Sequence, residues 1–233
     1  MYNINFFEDI SNGLIKYILR EQVQVSKKLW LGSSYGGFYV LPFKSLRNGI
    51  VFSFGIGEDI SFDENLIKLF KKTKIYGFDP TPKSIKWVAQ KCKNIENFKF
   101  FPYGISVQNG IQDFYLPKNQ KDISGSLEKN LNTRRKIQVP FKNMKSIMEE
   151  LGVKQVDILK LDIEGAELDV IPDILKSGFK FTQLCIEVHY RFWKKQKYYK
   201  LYKLRKLLNN YGYYIAAVSQ SYEEITFVKK VKR

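Results

Sequence analysis

From residue 49 onward, short runs of β-branched and aromatic residues alternate with stretches whose apolar positions recur every three or four residues, the periods that strands and helices impose. The runs Gly49–Phe54, Lys74–Phe78, Phe98–Tyr103, Val156–Leu161 and Gln183–Val188 read as strands, nearly continuous in apolar character as strands covered on both faces must be. A helix is expected from Ser61, where Ser61-Phe62-Asp63-Glu64 has the form of a capping box and Leu66, Leu69 and Phe70 supply an apolar face ending at Lys71 and Lys72. Pro80 and Pro82 turn the chain into a second helix through Cys92, since proline suits a helix's first turn. A third covers Leu168–Leu175, and a fourth covers Gln196–Asn209. On the last, Tyr198, Leu201, Leu204 and Leu208 share one face, and Lys200, Lys203 and Lys206 share another.

Two further stretches carry turn signals. Ile105–Leu116 contains Gln108-Asn109-Gly110 between apolar flanks and is expected to be a hairpin. The polar run Lys118–Lys136 reads as a mobile surface loop. Tyr213–Ser219 and Glu223–Lys229, joined by a short polar turn, form a second expected hairpin at the C-terminus. Strands alternating with helices define an α/β, doubly wound sheet. We expect seven strands, mostly parallel and Rossmann-like, closed by that antiparallel hairpin. At 233 residues one well-filled domain is expected, divided into a leader (1–48) and the α/β domain proper (49–233).

Composition narrows the class. Hydrophobic residues are 44% of the chain and aromatic residues 15%, which excludes disordered and fibrous classes. No run of 18 apolar residues offers a transmembrane helix, and acids stand in the first residues where a signal peptide needs bases, so a cytoplasmic protein is expected. Cys92 and Cys185 are the only cysteines, in keeping with a reducing compartment. The net charge of +16 would favour an anionic partner through a basic surface, although lysines spread from Lys16 to Lys232 also fit simple solvation.

In a doubly wound sheet the ligand lies beyond the carboxyl ends of the strands where their order reverses. The first strand ends in Phe54-Gly55-Ile56-Gly57-Glu58-Asp59, whose glycines let the backbone turn sharply and approach a ligand. Asp79, about twenty residues on at the end of the second strand, can accept hydrogen bonds from both ribose hydroxyls of an adenosine-containing cofactor. NAD and S-adenosylmethionine both satisfy this. The third glycine of a pyrophosphate fingerprint is replaced by Ile60, and Glu58 and Asp59 oppose a pyrophosphate while tolerating a ligand bearing an amine and a sulfonium. S-adenosylmethionine is therefore expected.

Five segments in order, Gly32-Ser33-Ser34-Tyr35-Gly36-Gly37-Phe38-Tyr39-Val40, Val51–Asp59, Gly77–Pro82, Leu159-Lys160-Leu161-Asp162-Ile163-Glu164-Gly165-Ala166-Glu167 and Ile186-Glu187-Val188-His189, resemble the FkbM-type methyltransferases. The resemblance implies a class I methyltransferase fold, S-adenosylmethionine as methyl donor, and an oxygen of a saccharide or small molecule as acceptor. It places Phe54, Gly55, Gly57 and Asp79 at cofactor-binding positions and Asp162 beside the methionine end. The leader is expected to contribute to the acceptor side.

Methyl transfer from a sulfonium is an in-line displacement in which a base can remove the acceptor proton. His189, the single histidine, shares a strand face with Glu187 and is the candidate base. Glu187 would orient it, and Asp162 and Glu164 complete an acidic rim. The same cluster could hold a hard cation such as Mg²⁺, although no spacing in the chain defines a dedicated metal site. Lys160 either neutralises the rim or extends to solvent. Ser124-Gly125-Ser126 could act as a lid, and Tyr35, Phe38, Tyr190, Phe192 and Trp193 could stack on an acceptor. A nucleic-acid methyltransferase, favoured by the charge, and a binding module without turnover are the alternative readings.

Overall fold

The computed structural model describes residues 13–117, 125–127, 133–189 and 196–230. Its centre is a seven-stranded sheet built from β3 (Ile50–Phe54), β4 (Lys74–Phe78), β5 (Phe98–Phe101), β9 (Gln155–Leu161), β10 (Lys180–Glu187), β11 (Tyr213–Val218) and β12 (Glu224–Lys229), in the order β11-β12-β10-β9-β3-β4-β5. Pairings are parallel from β5 to β10 and antiparallel to and within the terminal hairpin, the expected doubly wound arrangement. The order reverses between β3 and β9, so their carboxyl ends flank the crevice.

Alternation along the strands fixes both faces. Phe52 and Phe54 of β3, Leu159 and Leu161 of β9 and Leu184 and Ile186 of β10 join one core. That core receives residues 13–18 (α1) through Ile15 and Ile18, α4 (Met144–Leu151) through Met144 and Ile147, α5 (Glu167–Lys176) through Val170 and Ile174, and α6 (Lys197–Asn210) through Leu201, Leu204 and Leu208. Val51, Ile158 and Cys185 point the other way, against Phe62 and Leu66 of α2 (Ser61–Leu69) and the short hairpin of β1 (Leu29–Leu31) and β2 (Phe38–Val40). α3 (Pro82–Lys91) buries Val88 beside Ile56 and Ile60. Among the described residues, no helix is long and apolar enough to cross a membrane.

The β1–β2 hairpin is absent from the sequence expectations because its anchors lie far along the chain. Gln183, fully buried on β10, accepts from the Leu41 N–H at 2.8 Å and donates to the Leu41 carbonyl at 2.9 Å. Thr226 donates to the Tyr39 carbonyl at 2.5 Å. Two polar side chains inside the sheet thus supply the backbone partners that a buried edge otherwise lacks. Gln183→Leu is expected to cost about 2 kcal/mol, because two buried backbone groups lose their partners. Urea denaturation checks this, and a change within about 0.5 kcal/mol, the range of an ordinary surface substitution, would contradict it.

Three local expectations are corrected. The capping box at Ser61 does not form. Asp59 Oδ1 accepts from the Ser61 N–H instead, and Ser61 Oγ accepts from the Ser33 N–H, both at 2.7 Å. The Gln108-Asn109-Gly110 stretch makes no hairpin: β6 (Gly104–Ile105) pairs in parallel with β8 (Thr133–Lys142), and β7 (Gly110–Pro117) pairs with the other edge of β8. Asn109 spends its side chain on the start of α4, accepting from the Asn143 N–H and donating to Ser146 Oγ. Residues 133–136 of the expected loop belong to β8, while Gly125, Ser126 and Leu127 run beside Tyr115. The remainder of that stretch, Ser124 included, lies outside the described residues, as do Tyr190, Phe192 and Trp193.

Candidate active site

The loop after β3 is shaped by a close backbone approach at Gly55. Gly55 has φ +79°, and a Cβ there would lie 1.7 Å from the Asp162 carbonyl oxygen. The close approach is held by Gly55 N–H donating to the Phe78 carbonyl, Asp162 N–H to that of Phe54, and Lys160 Nζ to that of Gly55 at 2.9 Å. Lys160 is therefore buried, 5% exposed and 3.6 Å from Asp162, and does not reach solvent. Gly57, φ +58°, donates its N–H to Asp79 Oδ2 at 2.8 Å, and the Thr81 N–H donates to Oδ1 at 2.7 Å. Asp79 thus ties the glycine loop to the entry of α3 while lining the cleft, and burial raises its pKa against these hydrogen bonds.

A cleft of about 760 Å³ opens above these strand ends, within the roughly 300–1,000 Å³ of small-molecule sites. Eight carboxylates line it: Glu58, Asp59 and Asp79 beside the glycine loop, Asp162, Glu164 and Glu187 beyond β9 and β10, and Glu223 and Glu224 at the hairpin, against Lys160 and His189. A chain of net charge +16 has concentrated acids in this cleft. The leader supplies Ser34, Tyr35 and Gly36 to the wall; it is fastened by Ser33 Oγ donating to Asp59 at 2.7 Å and Gly32 N–H donating to Asn65. Tyr35 stands at the mouth, and its phenol pKa is raised by desolvation and by Glu164, Glu187 and Asp162. Phe38, in contrast, is buried in the core. Ser126 donates to the Glu164 carbonyl at 2.9 Å, bringing residues 125–127 to the cleft wall.

His189 sits among four carboxylates. Nδ1 is 3.0 Å from Glu167 Oε1, and Nε2 is 3.3 Å from Glu164, 3.5 Å from Glu187 and 4.0 Å from Asp162. Burial alone would lower the imidazole pKa, but hydrogen bonds to Glu164 and Glu167 and their charges push it up to about 12. An imidazolium has no lone pair to take a proton or bind a metal, which bears on both roles expected of His189. Asp162, Glu164 and His189 do bring ligand-type atoms within 4.8 Å of one another, yet a protonated His189 offers no ligand atom, and Mg²⁺ gains no support. Desolvation and the neighbouring Asp162, with which Glu187 shares a hydrogen bond, push the Glu187 pKa up to about 9. The three expected residues His189, Glu187 and Asp162 are together at one strand-end cluster.

Glu167 is the residue the sequence reading passed over, although the Gly165-Ala166-Glu167 run contains it. It is fully buried, and its Oε1 also accepts from the N–H groups of Gly165 and Ile163. The turn leading to it is strained, with Glu164 at φ +54° and Gly165 at φ +101°, and strain in a non-glycine residue marks functional sites. Glu167→Gln is expected to lower the His189 pKa by removing one partner charge. Because the chain has one histidine, its NMR titration is unambiguous. The native ring is expected to stay protonated from pH 6 to 8, and a native midpoint inside that window would contradict the description. The sign follows for stability: a folded pKa near 12 against 6.5 unfolded gives a contribution fully present below pH 6.5 and progressively lost as pH rises towards 12.

The fold, the glycine loop with its ribose-competent carboxylate and the acid-lined cleft define a class I, S-adenosylmethionine-binding methyltransferase. The Methyltransferase FkbM domain matches residues 50–215, and the chain belongs to that family. Among curated proteins it is similar to 2-O-methyltransferase NoeI of Sinorhizobium fredii, 25% identical over 144 residues that cover 54% of this chain and 59% of NoeI; the match therefore spans less than two thirds of that relative. Among solved structures it resembles the fibrillarin pre-rRNA processing protein of Methanococcus jannaschii, with TM-score 0.52, 14% identity and coverage of 83% of this chain and 70% of that one. The fibrillarin/Nop5p complex gives TM-score 0.50 at 12% identity, covering 78% and 71%. These structural likenesses carry the fold.

The residues present fit the cofactor. Asp79 can receive the ribose hydroxyls, the bent backbone at Gly55 and Gly57 leaves room beside Phe54, and the acids, Asp162 foremost, suit an ammonium and a sulfonium. Asp79→Ala is expected to weaken S-adenosylmethionine binding roughly 10- to 100-fold, the loss of hydrogen bonds to a charged acceptor. Calorimetric titration checks it, and an unchanged affinity would mean that Asp79 serves only to tie Gly57 to Thr81.

Proposed function

We propose that this chain transfers the methyl group of S-adenosylmethionine to a hydroxyl oxygen of a saccharide or other small-molecule acceptor. The observation that carries this reading is the segregation of charge. Eight carboxylates face the cleft of a basic protein, so the cleft favours neutral hydroxylated or cationic groups and opposes a phosphodiester backbone. The name of the curated relative, a 2-O-methyltransferase, supports oxygen as the acceptor atom. A nucleic-acid acceptor, suggested by the total charge, meets the opposing acids at the strand ends.

When bound, S-adenosylmethionine supplies an electrophilic methyl carbon. The leader, through Tyr35, and the wall at Ser126 would hold the acceptor on the side opposite the sulfur; aligning the reacting atoms can contribute about 7–11 kcal/mol. Glu187, protonated, is hydrogen-bonded to Asp162, whose carboxylate accepts the proton of the acceptor hydroxyl. His189, kept charged by Glu164 and Glu167, fixes the pair and offsets its negative charge. The segment before residue 49, together with the wall at Ser126, is thus assigned to the acceptor side and the rest of the chain to the cofactor and the chemistry.

An assay of S-adenosylhomocysteine formation across neutral saccharides, amino sugars, anionic sugars and RNA tests the reading. Turnover is expected with neutral or amine-bearing saccharides. Turnover confined to RNA would replace the proposal with a nucleic-acid methyltransferase.

A further inference from the structure

The excess of positive charge lies elsewhere. Between Glu187 and Glu223 the sequence has no acidic residue and eight lysines and arginines. α6 runs through this segment with Leu201, Leu204 and Leu208 buried in the core, which turns Tyr199, Tyr202, Lys203 and Lys206 outward. Arg205 donates to the Ile18 carbonyl at 2.7 Å, tying α6 to α1 and the adjoining turn, where Lys16, Tyr17 and Arg20 are exposed. Three tyrosines on this surface are each covered by a cation: Lys203 lies 4.4 Å from the ring centre of Tyr199, Arg205 5.6 Å from Tyr202, and Arg20 4.8 Å from Tyr17.

We propose that the α1–α6 face is a peripheral docking surface for an anionic phospholipid bilayer. Charge complementarity supplies the attraction, with each lysine or arginine near such a surface contributing additively. Tyrosine, apolar in its ring and polar at its tip, suits the depth of the headgroups. The leucines of α6 are committed to the core, so the contact is electrostatic and reversible and inserts no helix. Single-stranded nucleic acid, which stacks bases on open aromatic faces, is disfavoured because one face of each of these rings already carries a cation. This inference is independent of the acceptor proposed above.

The test is co-sedimentation of the full chain with vesicles of phosphatidylcholine alone and of phosphatidylcholine mixed with phosphatidylglycerol. Binding is expected only to the mixed vesicles, with release at high salt. The triple variant Lys16→Glu, Lys203→Glu, Lys206→Glu is expected to bind at least about tenfold more weakly. A control of equal charge change, Lys72→Glu, Lys86→Glu, Lys91→Glu, places its exposed substitutions outside this face and should retain most of the binding. S-adenosylmethionine titration verifies that both variants are folded. Absence of vesicle binding, equal losses in the two triples, or tighter binding of a single-stranded RNA than of the mixed vesicles would each overturn the proposal.

Discussion

Asp162→Asn is expected to lower turnover at saturating S-adenosylmethionine by about 10²–10⁴-fold, the usual contribution of a positioned proton acceptor. The substitution keeps the shape of the side chain just beyond β9, 4.0 Å from His189 Nε2, but removes the carboxylate to which the protonated Glu187 is hydrogen-bonded. The pH profile separates this from a histidine base. With His189 held protonated by Glu164 and Glu167, His189→Gln should alter the level of activity without abolishing a limb near pH 6.5. A limb near pH 6.5 that survives Asp162→Asn and disappears in His189→Gln would return the proton-accepting role to the imidazole.

Gly55→Ala is expected to destabilise the protein by about 4 kcal/mol or more, in the range reserved for severe core and backbone lesions. Its Cβ would meet the Asp162 carbonyl oxygen at 1.7 Å, and relief of that clash must part β3 from β9 where Lys160 and Asp162 are held. Gly152 supplies the comparison. It has φ +65° at the C-terminus of α4 and open space around its missing Cβ, so Gly152→Ala should show only the left-handed backbone cost of about 1–2 kcal/mol. Thermal and urea unfolding of the two variants check the difference. Equal losses would mean that conformation alone, and no close approach, determines Gly55.

The central sheet was legible because β3, β4, β9 and β10 are covered on both faces and read as apolar runs, and because Gly55, Gly57 and Asp79 stand where strands end. The hairpin β1–β2 was not, since three-residue strands acquire partners from Gln183 and Thr226, more than a hundred residues away. β8 escaped notice because its exposed residues Arg135 and Lys136 give its start the composition of a loop. Asn109-Gly110 carried a turn signal whose asparagine is used to tether α4. In the site, the acids and the histidine were visible as residue types at strand ends, but their consequence was not. Only the distances put four carboxylates around one imidazole, and only the burial of Glu167 and Lys160 reveals two charges that act inside the protein.

Calorimetric titration of the folded chain with S-adenosylmethionine, S-adenosylhomocysteine and NAD tests the account most directly. Saturable binding of the first two at one site per chain, with none for NAD, is the expected result. Binding of NAD in their place, or no binding of either sulfur-containing ligand by protein shown to be folded, would contradict it.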